Sequence, residues 1–321
     1  MNILVTGGAG YLGSNLIKRL QEIHETKELD GLIIAADVKE PGWNYPNVKF
    51  EKIDVRSPEI ARVIEDNQID TVVHLASIVT PGKKSNREFE YSVDVLGTEN
   101  VLKACVHGKV RKIIVTSSGA AYGYHPDNPQ WIKEDWLIRG NEEFSYSYHK
   151  RLVEEILEKY RRDHPELKQV IFRIGTILGE NTKNQITDLF DKKWLLGISG
   201  SDSPFVFIWD QDVVGCLLKA ILEEKTGIYN VAGDGALTID EIGKLLKKPV
   251  LRIPAGFLKG ALFILKRLSL TQYGEEQVNF LRYRPVLDNT KLKSEFGYIP
   301  QKTSREVFQF FMEHRKKRKG H

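Results

Sequence analysis

A short apolar run followed at once by closely spaced glycines constrains the fold more than any other feature of the chain. Residues 3–5 are Ile, Leu and Val, and Gly7, Gly10 and Gly13 follow them and lead into an amphipathic segment. Glycines let the backbone turn tightly and approach a pyrophosphate, which would face the amides that open the next helix. Glycine clusters also mark ordinary loops, so the flanking elements decide between the two interpretations.

The second apolar run supports a nucleotide site. Residues 32–36 predict a buried strand, and Asp37 follows them at its carboxyl end. A carboxylate there can accept hydrogen bonds from both ribose hydroxyls of an adenosine and repels a 2′-phosphate. This favours NAD over NADP, although Lys39 would soften the repulsion.

Predicted strands and helices alternate through most of the first 230 residues. Beyond the first two strands, apolar runs predict five more, at residues 48–53, 69–75, 112–116, 169–174 and 227–231. Helical periodicity is found at residues 90–106, 146–160 and 210–223. We therefore predict an α/β fold of the Rossmann type, with a doubly wound parallel sheet and right-handed crossovers.

The alternation breaks in two places, which predicts a second, smaller domain. Residues 175–204 lack clean periodicity, and the chain from Pro249 onward is apolar but irregular until a last predicted helix at 305–311. We expect an NAD-binding Rossmann domain and a smaller C-terminal α/β substrate domain. Their expected bounds are residues 1–175 and 205–231 for the first, and residues 176–204 and 232–321 for the second.

Composition narrows the possible partners to a small-molecule substrate. The net charge is only +4, and the basic tail at 315–319 is better explained as a solvated end than as a nucleic-acid or membrane contact. Cys105 and Cys216 lie far apart in apolar helical patterns, so we expect core thiols and no metal site. Residues 256–270 are too few, and too interrupted by cations, to span a bilayer. We expect a cytoplasmic protein without a signal peptide or a membrane span.

Further candidate residues follow the predicted strands. After the third strand, Asp54 and Val55 either contact the adenine of a nucleotide or, for the carboxylate, cap the helix that starts near Ser57. Small residues after the fourth strand leave room for a cofactor, namely Leu75, Ala76 and Ser77. We interpret His74 as a packed histidine rather than a catalyst.

Tyr146 and Lys150 have the i to i+4 spacing that places two side chains on one side of a helix. An ammonium group one turn away favours the phenolate form of tyrosine, which suits the residue for proton transfer. The same spacing arises by chance on solvated helices, so the pair depends on its context. Residues 124–145, just before it, are rich in Pro, Asn and charge and predict a long surface loop.

In combination these motifs resemble the extended short-chain dehydrogenase/reductases. The matching segments are, in order, residues 6–13, Asp37, Asp54-Val55, His74-Leu75-Ala76, Gly97-Thr98, Ser117-Ser118, Tyr122-Gly123, Tyr146 with Lys150, and Arg173 with Gly179. Asp212-Val213 and residues 229–233 and 296–300 extend the likeness to the NAD-dependent epimerase/dehydratase branch, which includes UDP-glucose 4-epimerases. The resemblance covers nearly the whole chain.

The resemblance implies hydride transfer between a carbinol carbon and NAD. Tyr146 looks like the catalytic acid/base, Lys150 like the residue that holds the nicotinamide ribose, and Ser118 like the hydroxyl that orients the substrate oxygen. The residues expected to bind NAD are Gly7, Gly10, Tyr11, Leu12, Gly13, Asp37, Asp54, Val55, Leu75, Ala76, Ser77 and Lys150. In epimerases of the family the ketone turns over and takes the hydride back on its other face.

Two departures from the family's pattern bear on the reaction. Gly119 and Ala120 replace the Asp-Glu pair of the nucleotide-sugar dehydratases, so dehydration lacks its acid and base. Asp94 replaces a usual Asn, which questions a proton relay at that position.

Other departures bear on the substrate. Thr176 and Glu180 replace an Asn and a Pro of the nucleotide-sugar members, and Phe205 matches their diphosphate-binding arginine. Arg282 or Arg284 could supply the missing charge from elsewhere. We expect the substrate to contact Ser118, Thr176, Phe205 and Arg282.

Three functions remain open at this point. The first is an NAD-dependent epimerase or dehydrogenase for a sugar-type secondary alcohol, and the second is a reductase or dehydrogenase for a hydroxysteroid-like or polyketide ketone. The third is a non-catalytic cofactor sensor, which the retained tyrosine and lysine disfavour. The family also implies a homodimer formed by the helices at 90–106 and 146–160, and a substrate pocket built from residues 79–90, 176–204 and 233–285.

Overall fold

The computed structural model describes residues 1–79, 86–202, 204–268, 270–271 and 274–319. Its strands are β1 (Ile3–Thr6), β2 (Ile33–Asp37), β3 (Val48–Lys52), β4 (Thr71–His74), β5 (Lys112–Ser118), β6 (Lys168–Ile174), β7 (Thr176–Leu178), β8 (Leu195–Ile198), β9 (Phe207–Trp209), β10 (Gly227–Val231) and β11 (Val250–Ile253).

The α-helices are α1 (Tyr11–Glu25), α2 (Glu59–Asp66), α3 (Arg87–Tyr91), α4 (Gly97–His107), α5 (Ser145–Asp163), α6 (Gln185–Asp191), α7 (Asp210–Leu222), α8 (Ile239–Leu246), α9 (Ala255–Arg267), α10 (Glu276–Arg282) and α11 (Ser304–Lys319). Two π-helical turns span Ser92–Leu96 and Leu292–Phe296, and a 3₁₀ turn spans Gly119–Tyr122.

Seven strands form one sheet in the order β3-β2-β1-β4-β5-β6-β10, and every neighbouring pair is parallel. The chain moves outward from β1 to β3, returns to β4 beside β1, and moves outward on the other side. This is a doubly wound sheet with its switch point between β1 and β4, where open α/β sheets bind ligands. The predicted fold class is confirmed.

Both faces of this sheet are covered, which explains why its strands are apolar without alternation. In β1, Ile3 and Val5 pack into a core with α1 and α7, whereas Leu4 points to a core on the other side with α2, α4 and α5. All four β1 residues are buried.

The smaller sheets and their helices occupy the region where the sequence alternation breaks. β7 pairs with β9, and β8 pairs with β11, both in parallel. A third core joins these strands to α8 and α11, with stacked and edge-on aromatic rings at Phe190, Phe205, Phe207 and Phe308. The domain bounds given above stay predictions.

Three sequence interpretations need correction. The helix predicted at 90–106 is interrupted, because a π-helical turn separates α3 from α4. Residues 124–144 contain no named strand or helix, but they are not simply surface: Ile132 is fully buried and bonds to the backbone of Val286. The segment after Pro249 is not irregular, because it forms β11 and α9.

No helix in the described part of the chain is long and apolar enough to cross a membrane. Among the same residues, no cluster of three or more His, Cys, Asp or Glu side chains could hold a metal ion. Cys105 and Cys216 are both buried and unpaired as disulfides, and burial raises the pKa of each thiol. Of the basic tail, the side chains from residue 316 onward lie outside the described part; Arg315 pairs with Asp191.

Candidate active site

A cavity of about 680 Å³ opens at the carboxyl edge of the large sheet. The glycine turn after β1, the ends of β4, β5 and β6, the start of α5 and the segment around Arg284 all contribute to its wall. Ligands of open α/β sheets bind at this edge. Within the predicted pocket segment 79–90, Val79 and Glu90 line the cavity, and residues 80–85 lie outside the described residues.

The turn that would accept a phosphate can form only because glycine has no side chain. Gly7 has a φ of +73°, and a Cβ there would lie 2.7 Å from the amide nitrogen of Ala76. A Cβ on Gly13 would lie 2.1 Å from the carbonyl oxygen of Gly7. The first turn of α1 has no side-chain cap, so its amides remain available to an anion. These residues therefore fit the pyrophosphate of a dinucleotide.

Asp37 connects the end of β2 to this turn. One carboxylate oxygen accepts a hydrogen bond from the Ala9 amide at 3.1 Å, and the other accepts from the Lys39 amide at 3.1 Å. A carboxylate has about four acceptor positions, so two remain for ribose hydroxyls. Ala9 is not among the predicted cofactor residues, because it contributes its backbone amide rather than a side chain.

Asp54 and Val55 follow β3, as the sequence predicts, and each has a contact within the protein. Both Asp54 oxygens are bound by the Arg56 guanidinium, which also lowers the pKa of the carboxyl, and α2 has no side-chain cap. Val55 is buried against Gly97. The cap interpretation is therefore wrong, and the adenine contact stays a prediction.

The cavity wall contains most, but not all, of the predicted cofactor residues. It includes Gly7, Gly10, Tyr11, Leu12, Gly13, Leu75, Ser77 and Lys150. Outside the wall lie Asp37, Asp54, Val55 and Ala76.

Tyr11 joins the phosphate turn to distant segments. Its hydroxyl donates to a carboxylate oxygen of Asp210 at 2.5 Å and accepts from the Thr182 hydroxyl at 3.1 Å. Burial, reinforced by Asp210, raises the pKa of the Tyr11 phenol. The ring is thus fixed over the start of α1 by α7 and by the segment after β7, contacts that no local pattern predicts.

Ser118, Tyr146 and Lys150 all line the cavity. Ser118 ends β5, and its hydroxyl oxygen accepts from the Ala120 amide at 3.1 Å. Lys150 is buried, its ammonium lies 5.7 Å from the centre of the Tyr146 ring, and it donates to the Thr116 carbonyl at 3.3 Å. A hydroxyl, a phenol and an ammonium group therefore face one space beside the phosphate turn.

A buried serine fixes the start of α5 against the segment that follows Ser118. Ser147 donates to the Ala120 carbonyl at 2.6 Å and accepts from the Asn141 amide at 3.0 Å. Because Ser147 follows Tyr146 directly, these bonds hold Tyr146 near the 3₁₀ turn after Ser118. The role of Ser147 could not be predicted, because a single serine at a helix start has no distinctive pattern.

A buried ion pair fastens α5 to β6 beneath the cavity. Arg173 binds both oxygens of Glu154, the shortest contact being 2.6 Å, and both side chains are about 5% exposed. Glu154 also accepts from the Ser117 hydroxyl at 2.6 Å, and Arg173 donates to the Tyr122 hydroxyl at 2.8 Å. The network leaves neither charge uncompensated.

His74 is packed, as predicted. Thr98 donates its only hydroxyl proton to the Asp94 carbonyl, so it must accept from Nε2–H of His74 at 3.0 Å. Nδ1 then accepts from the Thr6 hydroxyl at 2.7 Å. Burial, with the positive charge of Lys150, lowers the pKa of His74 to about 4.

Asp94 anchors the loop that follows β4. Its side chain is buried and accepts from the Ile78 amide at 2.8 Å. Its other oxygen lies 3.8 Å from Nδ1 of His149, which is also buried. The loop carrying Leu75 and Ser77 is therefore held from the π-helical turn.

On the substrate side, Arg284 rather than Arg282 lines the cavity. Arg282 lies outside this wall and stacks on the Tyr283 ring, and its contact with the substrate stays a prediction. The Arg284 guanidinium lies 3.6 Å from the centre of the Phe205 ring, and burial lowers its pKa to about 9. Thr176 and Phe205 line the cavity. The sequence could not distinguish two arginines that are two positions apart.

Comparison with known proteins identifies the family. Residues 3–232 match the model of the NAD dependent epimerase/dehydratase family, which is more than half of the chain. The chain belongs to this family, whose cofactor is NAD.

Two relatives align over nearly the full chain. An uncharacterized protein of Mycobacterium tuberculosis is 28% identical over 314 residues, which cover 95% of this chain and 82% of the relative. A putative UDP-glucose 4-epimerase of Methanocaldococcus jannaschii is 26% identical over 316 residues, 93% of each chain.

Solved structures share the fold. The UDP-glucose 4-epimerase of Thermotoga maritima, in complex with UDP-glucose, has a TM-score of 0.74 at 21% identity over 99% of both chains. The dTDP-glucose 4,6-dehydratase DesIV of Streptomyces venezuelae has a TM-score of 0.73 at 21% identity over 98% of both chains. The fold therefore accommodates both epimerases and dehydratases.

Proposed function

We propose that this protein is an NAD-dependent epimerase acting on a secondary alcohol of a sugar-type substrate. The observation that carries the proposal is that Ser118, Tyr146 and Lys150 line the same cavity as the glycine turn. A hydride acceptor and a proton-transfer group must lie side by side for carbinol oxidation, and this cavity brings the residues for both together.

NAD, when bound, would supply the hydride acceptor and, in its reduced form, the hydride donor. Tyr146 takes the proton of the substrate alcohol as the phenolate, and the phenol so formed gives that proton back to the ketone oxygen. The Lys150 ammonium, 5.7 Å from the centre of the Tyr146 ring, holds the nicotinamide ribose, and the Ser118 hydroxyl orients the substrate oxygen. Ser147 and the Glu154–Arg173 pair hold α5, and with it Tyr146 and Lys150, in position without contacting the substrate.

Arg284 is the group we propose to bind the anionic part of the substrate. It faces the cavity between the Phe205 ring and, at 5.1 Å, the Phe280 ring. A planar guanidinium held on aromatic faces is suited to bidentate binding of a phosphate. Phe205, at the position of the family's usual arginine, would then support an arginine that comes from another segment. This favours a nucleotide-sugar substrate.

We propose epimerisation rather than dehydration because Gly119 and Ala120 follow Ser118 where a dehydratase has its acidic pair. These two residues form the start of the buried 3₁₀ turn and carry no proton-transfer group.

A second candidate function is oxidation or reduction of an apolar alcohol or ketone. Three aromatic rings next to the cavity favour it: Tyr124, Phe144 and Phe280 contact one another with ring centres 5.2–5.6 Å apart. Net production of NADH would distinguish this activity from epimerisation.

We also propose a cytoplasmic homodimer, paired through the segments at 90–106 and 146–160. Two exposed apolar residues of the first segment, Tyr91 and Leu96, support it. Light scattering of the purified protein would give the mass of the particle; a monomer at working concentration would contradict the proposal.

The test of function starts with mass spectrometry of the purified protein for retained NAD or NADH. The protein is then incubated with UDP-glucose or UDP-galactose while the NADH absorbance is followed. We expect interconversion without net NADH. Bound cofactor without any reaction would contradict the nucleotide-sugar proposal.

A matched pair of variants tests the anion site. Arg284→Met should raise the KM for a nucleotide sugar by about tenfold or more, because a charge-assisted contact is lost. Arg282→Met, one residue from the cavity wall, should leave KM unchanged. Equal effects of the two substitutions would contradict the assignment.

A further inference from the structure

Helix α9 presents a large apolar surface to solvent. No residue of this helix is buried, although most of its sequence is apolar. Phe257 is 71% exposed, Ile264 58% and Leu268, the residue that ends the helix, 61%. Single exposed apolar residues are normal in proteins, but a cluster of large ones marks an interaction surface.

The spacing of these residues shows that they form one face. Phe257, Ala261, Ile264, Leu265 and Leu268 follow the pattern i, i+4, i+7, i+8 and i+11, which is the core-facing stripe of an amphipathic helix. We call these five residues the α9 face. In this structure, however, the stripe is on the outside, whereas Leu258 and Leu262, on another side of the helix, are half-buried.

The stretch of sequence that contains α9 carries charge of a single sign, with acids at its two ends, Asp240-Glu241 and Glu275-Glu276. From residue 242 to residue 274 the chain contains no Asp or Glu, and its cations are Lys244, Lys247, Lys248, Arg252, Lys259, Lys266 and Arg267. Arg252 is paired with Asp240, and Lys248 caps carbonyls of residues 190 and 192. Lys259, Lys266 and Arg267 belong to α9 itself.

We propose that α9 docks the protein onto an anionic lipid surface. A helix with large apolar residues on one face and lysine or arginine beside it lies in the plane of a bilayer, with the apolar face in the acyl boundary and the cations at the headgroups. The 13 residues of α9 extend only about 20 Å, so the helix lies flat and does not cross. Phe257, on the α9 face, supplies an aromatic ring of the kind that such helices place at this boundary.

Charge complementarity favours a lipid surface over a second copy of the chain as the partner of α9. Two α9 faces packed against each other would bring Lys259 and Arg267 of both copies close to one another, and like charges repel. An anionic bilayer would instead attract both of these cations. The α9 residues do not line the active-site cavity, so docking leaves that cavity open.

Vesicle sedimentation tests the proposal with the full chain. We expect binding to vesicles of phosphatidylcholine with about one third phosphatidylglycerol, weaker binding to pure phosphatidylcholine, and release by salt. The double variant Phe257→Ser with Ile264→Ser should bind the mixed vesicles at least about tenfold more weakly, because two large apolar side chains are lost. Ile299→Ser, at a site 73% exposed, is the matched control and should bind like the unmodified protein.

A second variant separates the charge contribution. Lys259→Gln with Arg267→Gln should weaken binding to the mixed vesicles by about tenfold or more and leave binding to phosphatidylcholine unchanged. All these side chains are exposed or half-buried at the surface, so thermal unfolding should match that of the unmodified protein. Failure of the unmodified protein to bind either vesicle would overturn the proposal. So would concentration-dependent self-association that the Phe257→Ser, Ile264→Ser variant abolishes, because a second copy would then cover the α9 face.

Discussion

Replacing Asp37 by asparagine should weaken the discrimination against NADP while leaving the phosphate turn intact. The Asp37 carboxylate holds the Ala9 amide at 3.1 Å, and the asparagine side-chain oxygen can take over that bond. The substitution therefore removes the charge and keeps the shape. Asp37→Ala is the companion variant, because it removes both the charge and the Ala9 contact.

The expected size of the effect follows from the charges. A 2′-phosphate carries roughly −1.5 to −2 charges, and unit charges about 4 Å apart interact by about 1 kcal/mol in water and about 4 kcal/mol near a protein surface. Asp37 is half-exposed, so we take about 2 kcal/mol of repulsion, which is roughly a thirtyfold gain in NADP affinity. NAD should bind about tenfold more weakly, because charge-assisted bonds to the ribose become neutral ones.

Isothermal titration of both cofactors into the three proteins measures these quantities. We expect the NAD:NADP affinity ratio to fall by roughly two orders of magnitude in Asp37→Asn. We expect Asp37→Ala to bind both cofactors more weakly than Asp37→Asn does. Equal affinity of the unmodified protein for NAD and NADP, or an unchanged ratio in Asp37→Asn, would refute the reasoning.

Two further predictions concern stability, measured as the free energy of unfolding in urea. The pKa of His74 is about 4 in the folded protein, against 6.5 normally, so the unfolded chain binds more protons between these values. Stability should therefore fall by about 3 kcal/mol as the pH drops from about 6.5 to about 4, and His74→Gln should flatten this slope. Glu154→Gln should cost about 3–5 kcal/mol, because it leaves Arg173 buried and uncompensated. Adding Arg173→Met to that variant should recover part of the lost free energy of unfolding. If the effects of the two substitutions on this free energy simply added up, Glu154 and Arg173 would not be coupled.

The strands of the large sheet could be predicted because each carries its own signal. A buried parallel strand is apolar along its length, and residues 33–36 and 227–231 are read correctly from that alone. The glycine turn has a cause that is partly local: a Cβ on Gly13 would clash within the turn itself, with Gly7, whereas a Cβ on Gly7 would clash with Ala76, after β4. The order of the sheet then follows from the alternation of strands and helices.

Elements that depend on distant partners could not be predicted. β11 exists because it pairs with β8, some 50 residues earlier, and Ile132 is buried because a loop bonds to Val286. For α9 a signal was present, since its apolar residues follow helical spacing. The segment nevertheless looked irregular in the sequence, because apolar residues lie on its other sides as well, at Leu258, Leu262 and Phe263.

The candidate site divides in the same way. Tyr146 and Lys150 were predicted from their spacing on one helix together with the family resemblance, whereas Ser147 and Asp94 act through contacts that only the fold brings together. Arg284 could be named only as one of two candidates, because a cavity wall is a property of the tertiary structure.

The most direct test of the account is to compare Tyr146→Phe with the unmodified protein in two assays: turnover of the substrate found in the epimerase test, and NAD affinity. We predict that turnover falls by about 10²–10⁴-fold, because the proton path is removed. NAD affinity should be unchanged, because the Tyr146 hydroxyl is not needed to hold the cofactor. Undiminished turnover in Tyr146→Phe would contradict the proposed chemistry.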